Sequence, residues 1–170
     1  MKSRNNIKQS KENYLYRIRK KTASLFETAT WSGSALANMD KKENDKLGQF
    51  GMNLGLAFQI FDDIRDFTDL NNKINKSGKN IGIDINNGIL TLPVILSLEN
   101  NFEANPFYKP IKFNDEINVK DLGLYLIQEG FIQQAKSIGN TYIEKAINNL
   151  QYLKSNEITN ILFEIANSIK

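Results

Sequence analysis

The sequence contains neither cysteine nor histidine. Without cysteine there is no disulfide, no zinc–thiolate site and no thiol nucleophile. Without histidine, the side chain most often used as a general base near neutral pH is missing. Any chemistry must therefore run on carboxylates, lysines, hydroxyls, amides, or metal ions held by oxygen. Proline is scarce, with 3 in 170 residues, so little interrupts long helical stretches. No apolar run reaches the length needed to span a bilayer. The opening MKSRNNIKQS is polar and basic, unlike the apolar core of a signal peptide, and a cytoplasmic location is expected. An excess of one charge sign is also lacking: 22 basic residues sit among 19 acidic ones, for a net charge of +3. With no basic stripe, nucleic acid is not an expected partner.

What is present is ordinary for a globular protein, with 41% apolar and 24% charged residues. Residues 1–10 are expected to form a flexible tail and 11–170 a single all-helical domain. From Lys11 to about Asn38, the residues Tyr14, Ile18, Leu25, Ala29 and Leu36 recur at helical steps, with Ser10 as N-cap. A second helix is expected from about Lys42 to Thr68, with Leu47, Phe50, Leu54, Phe58, Phe61 and Ile64 on its buried face. Gly48, Gly51 and Gly55 thin one side of it, which suits close approach of either another helix or a ligand. The polar stretch 69–88 reads as a long loop, of the kind that is usually functional or disordered. A helix over about 90–100 follows, then an irregular connection over 101–116 containing Pro106 and Pro110. Helices over about 119–129, 132–153 and 157–170 complete the chain. Leu122, Leu126, Ile138, Tyr142, Ala146, Leu150, Ile158, Leu162 and Ile165 are the expected core positions of these last helices.

The second helix ends in Phe58-Gln59-Ile60-Phe61-Asp62-Asp63-Ile64-Arg65-Asp66-Phe67. Asp62 and Asp66 are one turn apart, with Asp63 beside them, and like charges at that spacing repel. Either the face is well solvated, or a counter-ion offsets the repulsion. Mg²⁺ suits the second case, because it takes oxygen ligands from one or two carboxylates together with phosphates and waters. If a metal-bound diphosphate rests there, lysines should reach it as point charges. Lys21, next to Thr22, and Lys79, in the long loop, are the candidates. Each taken singly also reads as a surface charge. Gln59 lies three residues before the aspartates and shares roughly their face, where it reads equally as an amide at the core edge.

Three strings together, YLYRIRKKTASLF at 14–26, FQIFDDIRDF at 58–67 and GKNIGIDINNGILTLPVIL at 78–96, resemble successive signatures of the trans-prenyltransferases, the polyprenyl diphosphate synthases. In that family a Lys-Thr pair precedes the second aspartate-rich motif, FQxxDDxxD, and a GKxxGxD loop and TLP follow. The resemblance implies an all-α helical bundle, the C-terminal half of the isoprenoid synthase fold. It implies that Asp62, Asp63 and Asp66 bind Mg²⁺, which bridges to the diphosphate of an allylic substrate. Lys21 and Lys79 would contact that diphosphate, Thr22 and Gln59 would turn oxygen dipoles toward the developing allylic cation, and Asp84 would support the metal site or fix the loop. The implied reaction is elongation of an allylic diphosphate by isopentenyl diphosphate, which needs neither histidine nor cysteine.

Family members also carry an earlier DDxxD with following arginines, and nothing before Lys21 matches it. The expectation is therefore half of a site, inactive or nearly so in isolation. The chain would work as a homodimer, or as a hetero-oligomer with a chain supplying the first aspartate motif. A piece of a longer synthase, a split subunit and a degenerate relative all fit that pattern. The alternative is a non-catalytic helical interaction or regulatory subunit of an intact synthase.

Overall fold

The computed structural model describes residues 7–68, 85, 88–100, 104–113, 115–154 and 157–169. Among these, all regular structure is helical: α1 (Lys11–Ile18), a widened turn (Arg19–Ala23), α2 (Ser24–Leu36), α3 (Lys41–Thr68), α4 (Leu92–Asn100), α5 (Tyr108–Phe113), α6 (Val119–Gln128), α7 (Phe131–Leu150) and α8 (Glu157–Ser168). None is long and apolar enough to cross a membrane. The chain falls into two compact units, Met1–Tyr14 with Asp62–Lys136, and Leu15–Phe61 with Ser137–Lys170. The helix α3 contributes its last turns to the first unit and the rest to the second.

The boundaries follow from local chemistry. Ser10 starts α1, its hydroxyl oxygen accepting from the Asn13 amide at 3.3 Å. Asn38 ends the α2 segment with a left-handed φ of 54°, which asparagine tolerates. The Met39 amide donates to the Ser34 carbonyl and the Asn38 amide to that of Ala35, satisfying the last turn of the helix. Asp40 and Glu43 then form a reciprocal cap for α3, with the Glu43 amide 2.8 Å from Asp40 Oδ1 and the Asp40 amide 3.3 Å from Glu43 Oε2. Gly130, at φ 78°, makes the turn from α6 to α7.

The connection expected over 101–116 contains a helix, α5. Pro106 and Pro110 read as breakers, yet Pro106 precedes α5 and Pro110 falls in its first turn, where a backbone N–H has no partner within the helix anyway. The single helix expected over 11–38 is likewise interrupted by the widened turn at 19–23.

In the first unit Tyr14, Ile64, Phe67, Leu92, Ile95, Leu122 and Leu126 are buried. In the second, Ile18, Phe50, Leu54, Ala57, Ile60, Ile143, Ala146 and Leu150 are buried. The glycines of α3 face other helices, not an open ligand cavity. A Cβ at Gly55 would lie 2.6 Å from the Ala23 Cα, and one at Gly51 would strike the Phe26 carbonyl and the Thr30 hydroxyl. At Gly48 the neighbour is the Trp31 ring.

Several apolar positions on the expected faces are exposed instead. Leu25 and Leu36 are 69% and 84% exposed, and Ile158 and Ile165 on α8 are 67% and 44% exposed. On α2 it is the Phe26–Thr30 side that meets α3, and on α8 it is Ala166 that is buried. Periodicity groups residues on a face, but it does not choose between two apolar faces of one helix.

Gly55→Ala should destabilise the protein by about 1–3 kcal/mol, the usual cost of overpacking a tight contact. Gly33→Ala, whose Cβ meets nothing within 4 Å, should instead stabilise by up to about 1 kcal/mol through helix propensity. Urea unfolding followed by circular dichroism measures both, and the expected outcome is opposite signs.

Candidate active site

Every sequence-predicted residue among the described residues lies on the widened turn or on α3. At about 100° per residue, Asp62 and Asp66 stand about 40° apart around α3, and Asp63 lies about 60° beyond Asp66. Burial follows that geometry. Asp62 and Asp66 are half-buried and Arg65 is exposed. Asp63 is only 6% exposed, on the side of α3 that carries the buried Ile60, Ile64 and Phe67.

A carboxylate in such a place is costly without a partner. Tyr14 supplies one: its phenol, itself 0% exposed, donates to Asp63 Oδ2 at 2.7 Å. The distance is ordinary for an O–H donating to an oxygen acceptor. Sequence reading placed Tyr14 in the core and gave it no polar role. The available signal was generic, since a buried tyrosine hydroxyl usually needs a partner.

Among the described residues no three acidic side chains gather closely enough to hold a metal by themselves. Mg²⁺ does not require that, because one or two carboxylates suffice when substrate phosphates and waters complete the shell. Asp62 and Asp66 fit this donor set: two oxygen ligands, one turn apart, on the accessible side of a rigid helix. Asp63 belongs to the buried side.

Lys21 and Thr22 sit in the widened turn. There the Ser24 amide donates to the carbonyl of Arg19, five residues back. The Lys20 carbonyl accepts instead from the Ser24 hydroxyl at 3.1 Å. Such π-type turns rotate side chains out of helical register and are frequent at functional positions. Lys21 is exposed, while Thr22 is half-buried and donates from Oγ1 to Gln59 Oε1 at 2.7 Å. The structure thus joins Thr22 and Gln59 directly, through a bond that also fixes the orientation of the Gln59 amide. Gly55 permits it, since it lies one turn before Gln59 and lets the turn at Ala23 approach the α3 backbone. Lys21, Thr22 and Gln59 belong to the second compact unit, and the three aspartates to the first. Lys79, Asp84 and the loop around them lie outside the described residues.

The chain as a whole is similar to known proteins. The sequence pattern of the family described as Polyprenyl synthetase covers residues 1–124. The chain is 28% identical over 169 residues to heptaprenyl diphosphate synthase component 2 of Bacillus subtilis, covering 99% of this chain and 48% of that protein. It is 32% identical over 155 residues to a prenyl transferase of Cyanidium caldarium, covering 90% of this chain and 46% of that one. A crystal structure of a polyprenyl synthase from Caulobacter crescentus, complexed with calcium and isoprenyl diphosphate, superposes with a TM-score of 0.87 at 28% identity, covering 99% of this chain and 52% of that chain. The fold is the isoprenoid synthase architecture expected from the sequence. The chain spans about half the length of these relatives.

Breaking the Thr22–Gln59 bond by Thr22→Val or by Gln59→Leu should each cost about 1 kcal/mol of stability. The double variant should cost measurably less than the sum, because both remove one shared interaction. Equilibrium urea unfolding of the three variants checks the coupling.

Proposed function

This chain belongs to the polyprenyl synthetase family, and from that premise we propose that it carries the second aspartate-rich half of a prenyl-transfer site. The reaction is elongation of an allylic diphosphate by isopentenyl diphosphate. The observation that carries the proposal is the accessible pair Asp62 and Asp66, one turn apart on α3, continued on the same helix by Gln59 in its bond to Thr22. The calcium and isoprenyl diphosphate bound by the Caulobacter crescentus synthase support a cation–diphosphate reading for this fold.

In this proposal Asp62 and Asp66 are the carboxylates that hold Mg²⁺. The metal, when bound, supplies charge neutralisation to a departing diphosphate. Lys21 contributes a positive point charge to phosphate oxygens from an exposed position on a turn whose backbone is fixed by the Ser24 bonds. The Thr22 hydroxyl donates to Gln59 and therefore turns its oxygen lone pairs elsewhere. That oxygen and the Gln59 carbonyl are dipoles of the sign that stabilises an adjacent cation. Lys79 would add a second charge and Asp84 would brace the loop. Neither hydroxyl nor carboxylate needs to act as a nucleophile.

Turnover also requires the remainder of the synthase fold, on the same polypeptide or on a partner. The relative named as component 2 of a heptaprenyl diphosphate synthase supports assembly with a second chain. The exposed Leu25, Leu36, Ile158 and Ile165 favour an associating protein as well, and a non-catalytic interaction subunit would show the same surface.

The two readings separate in one experiment: incorporation of labelled isopentenyl diphosphate with an allylic diphosphate and Mg²⁺. The chain is assayed alone and together with a chain bearing the first aspartate motif. Product is expected in the mixture, and Asp62→Asn and Asp66→Asn should each lower it by about 100-fold or more. A stable mixed complex that makes no product would identify an interaction subunit.

A further inference from the structure

Resting on the half-site reading above, we infer that Tyr14 and Asp63 form a buried positioning pair for the metal site, and that Asp63 is not itself a metal ligand. The three aspartates span about 100° of the α3 circumference. A single metal ion facing Asp62 and Asp66 meets carboxylates separated by about 40°, while Asp63 sits at the edge of the core. Turning α3 to bring Asp63 outward would carry Asp62 away from the same point. The structure resolves that competition toward Asp62 and Asp66, because Asp63 is 6% exposed and accepts the Tyr14 phenol at 2.7 Å.

The pair is built for positioning. Tyr14 is fully buried on α1, 49 residues away in sequence, and belongs to the same compact unit as Asp63. The helix that carries it is tied at its start by the Lys11 amide donating to Glu99 Oε1 of α4 at 3.0 Å, and by the Ser10 cap. The phenol ring therefore has little freedom to follow a rotating α3. A hydrogen bond from such an anchor holds α3 in the rotation that presents Asp62 and Asp66 together. Outer partners that orient metal ligands by direct bonds typically cost about 10–100-fold in metal affinity when lost, and here the orientation would pass through the α3 backbone. The pair also bears on how three adjacent acids coexist, since the buried one has a donor in the core while the other two stay half-buried on the neighbouring side of the helix.

The test is Mn²⁺ binding in the presence of inorganic diphosphate, read by the loss of the free-ion electron paramagnetic resonance signal. It uses the full chain, with helicity checked by circular dichroism. Asp62→Asn should weaken Mn²⁺ binding at least about tenfold. Asp63→Asn keeps an oxygen acceptor for Tyr14 and should stay within about threefold of the parent chain, well short of the loss typical of a disturbed metal site. Tyr14→Phe, which removes only the donor, should weaken binding about tenfold while the helical signal is retained. If Asp63→Asn loses as much affinity as Asp62→Asn, Asp63 is a ligand and the inference fails while the half-site reading stands. Parent-like affinity in folded Tyr14→Phe also overturns it. If that variant does not fold, the Asp63→Asn comparison decides alone. A parent chain that binds no Mn²⁺ with diphosphate removes both the inference and the half-site reading.

Discussion

The backbone of the Ala23–Phe26 segment lies directly against α3 at Gly51 and Gly55, closer than any side chain would allow. Two glycines one turn apart give up helix propensity, about 1 kcal/mol each, to permit that approach. What the contact secures is rotational: with α3 held by its glycine edge, Gln59 faces Thr22 one turn later. In the other unit, where the same helix ends, Asp62 and Asp66 are half-buried and Asp63 is buried. The widened turn at 19–23 is the counterpart on the other element. It places Lys21 and Thr22 out of register with the helices before and after it.

At the far end of α3 the constraint is electrostatic, not steric. Three carboxylates within five residues cannot all be presented to solvent without mutual repulsion, and they cannot all be buried without partners. The structure divides them, with one carboxylate buried against the Tyr14 phenol and two half-buried. Mg²⁺ with a diphosphate fits the remaining two, because that ion prefers an incomplete protein shell finished by phosphate and water.

Most of the fold was legible because its signals are local. Ser10, the Asp40–Glu43 pair and Gly130 mark ends where a helix must satisfy or abandon its backbone bonds. Pro110 misled because a proline in a first turn and a proline that breaks a helix look alike in sequence. The widened turn left no trace in periodicity, since Arg19–Ala23 contains no residue that demands it. Of the candidate site, Asp62, Asp66, Thr22 and Gln59 were nominated by their spacing and by the family strings, and those strings also offered Lys21, Asp63, Lys79 and Asp84. The bond between Thr22 and Gln59 was not legible there, nor was the separation of Asp63 from its neighbours. Both depend on which way α3 is turned, and that is set by contacts 37 and 49 residues apart in sequence. The exposed leucines and isoleucines of α2 and α8 have the same origin, for an apolar stripe says nothing of where its cover comes from.

The central claim is that the accessible carboxylates of α3 hold a divalent cation with a diphosphate. Thermal unfolding of the chain with Mg²⁺ and an unreactive allylic diphosphate analogue tests it most directly. At about 100 times the dissociation constant, a ligand specific to the folded state adds about 2.7 kcal/mol. For a chain of this size that raises the melting temperature by about 5 °C or more. The account predicts such a rise only when Mg²⁺ and the analogue are present together, and its loss in the Asp62→Ala, Asp66→Ala double variant. An unchanged melting temperature in the parent chain, or an undiminished rise in the double variant, would contradict it.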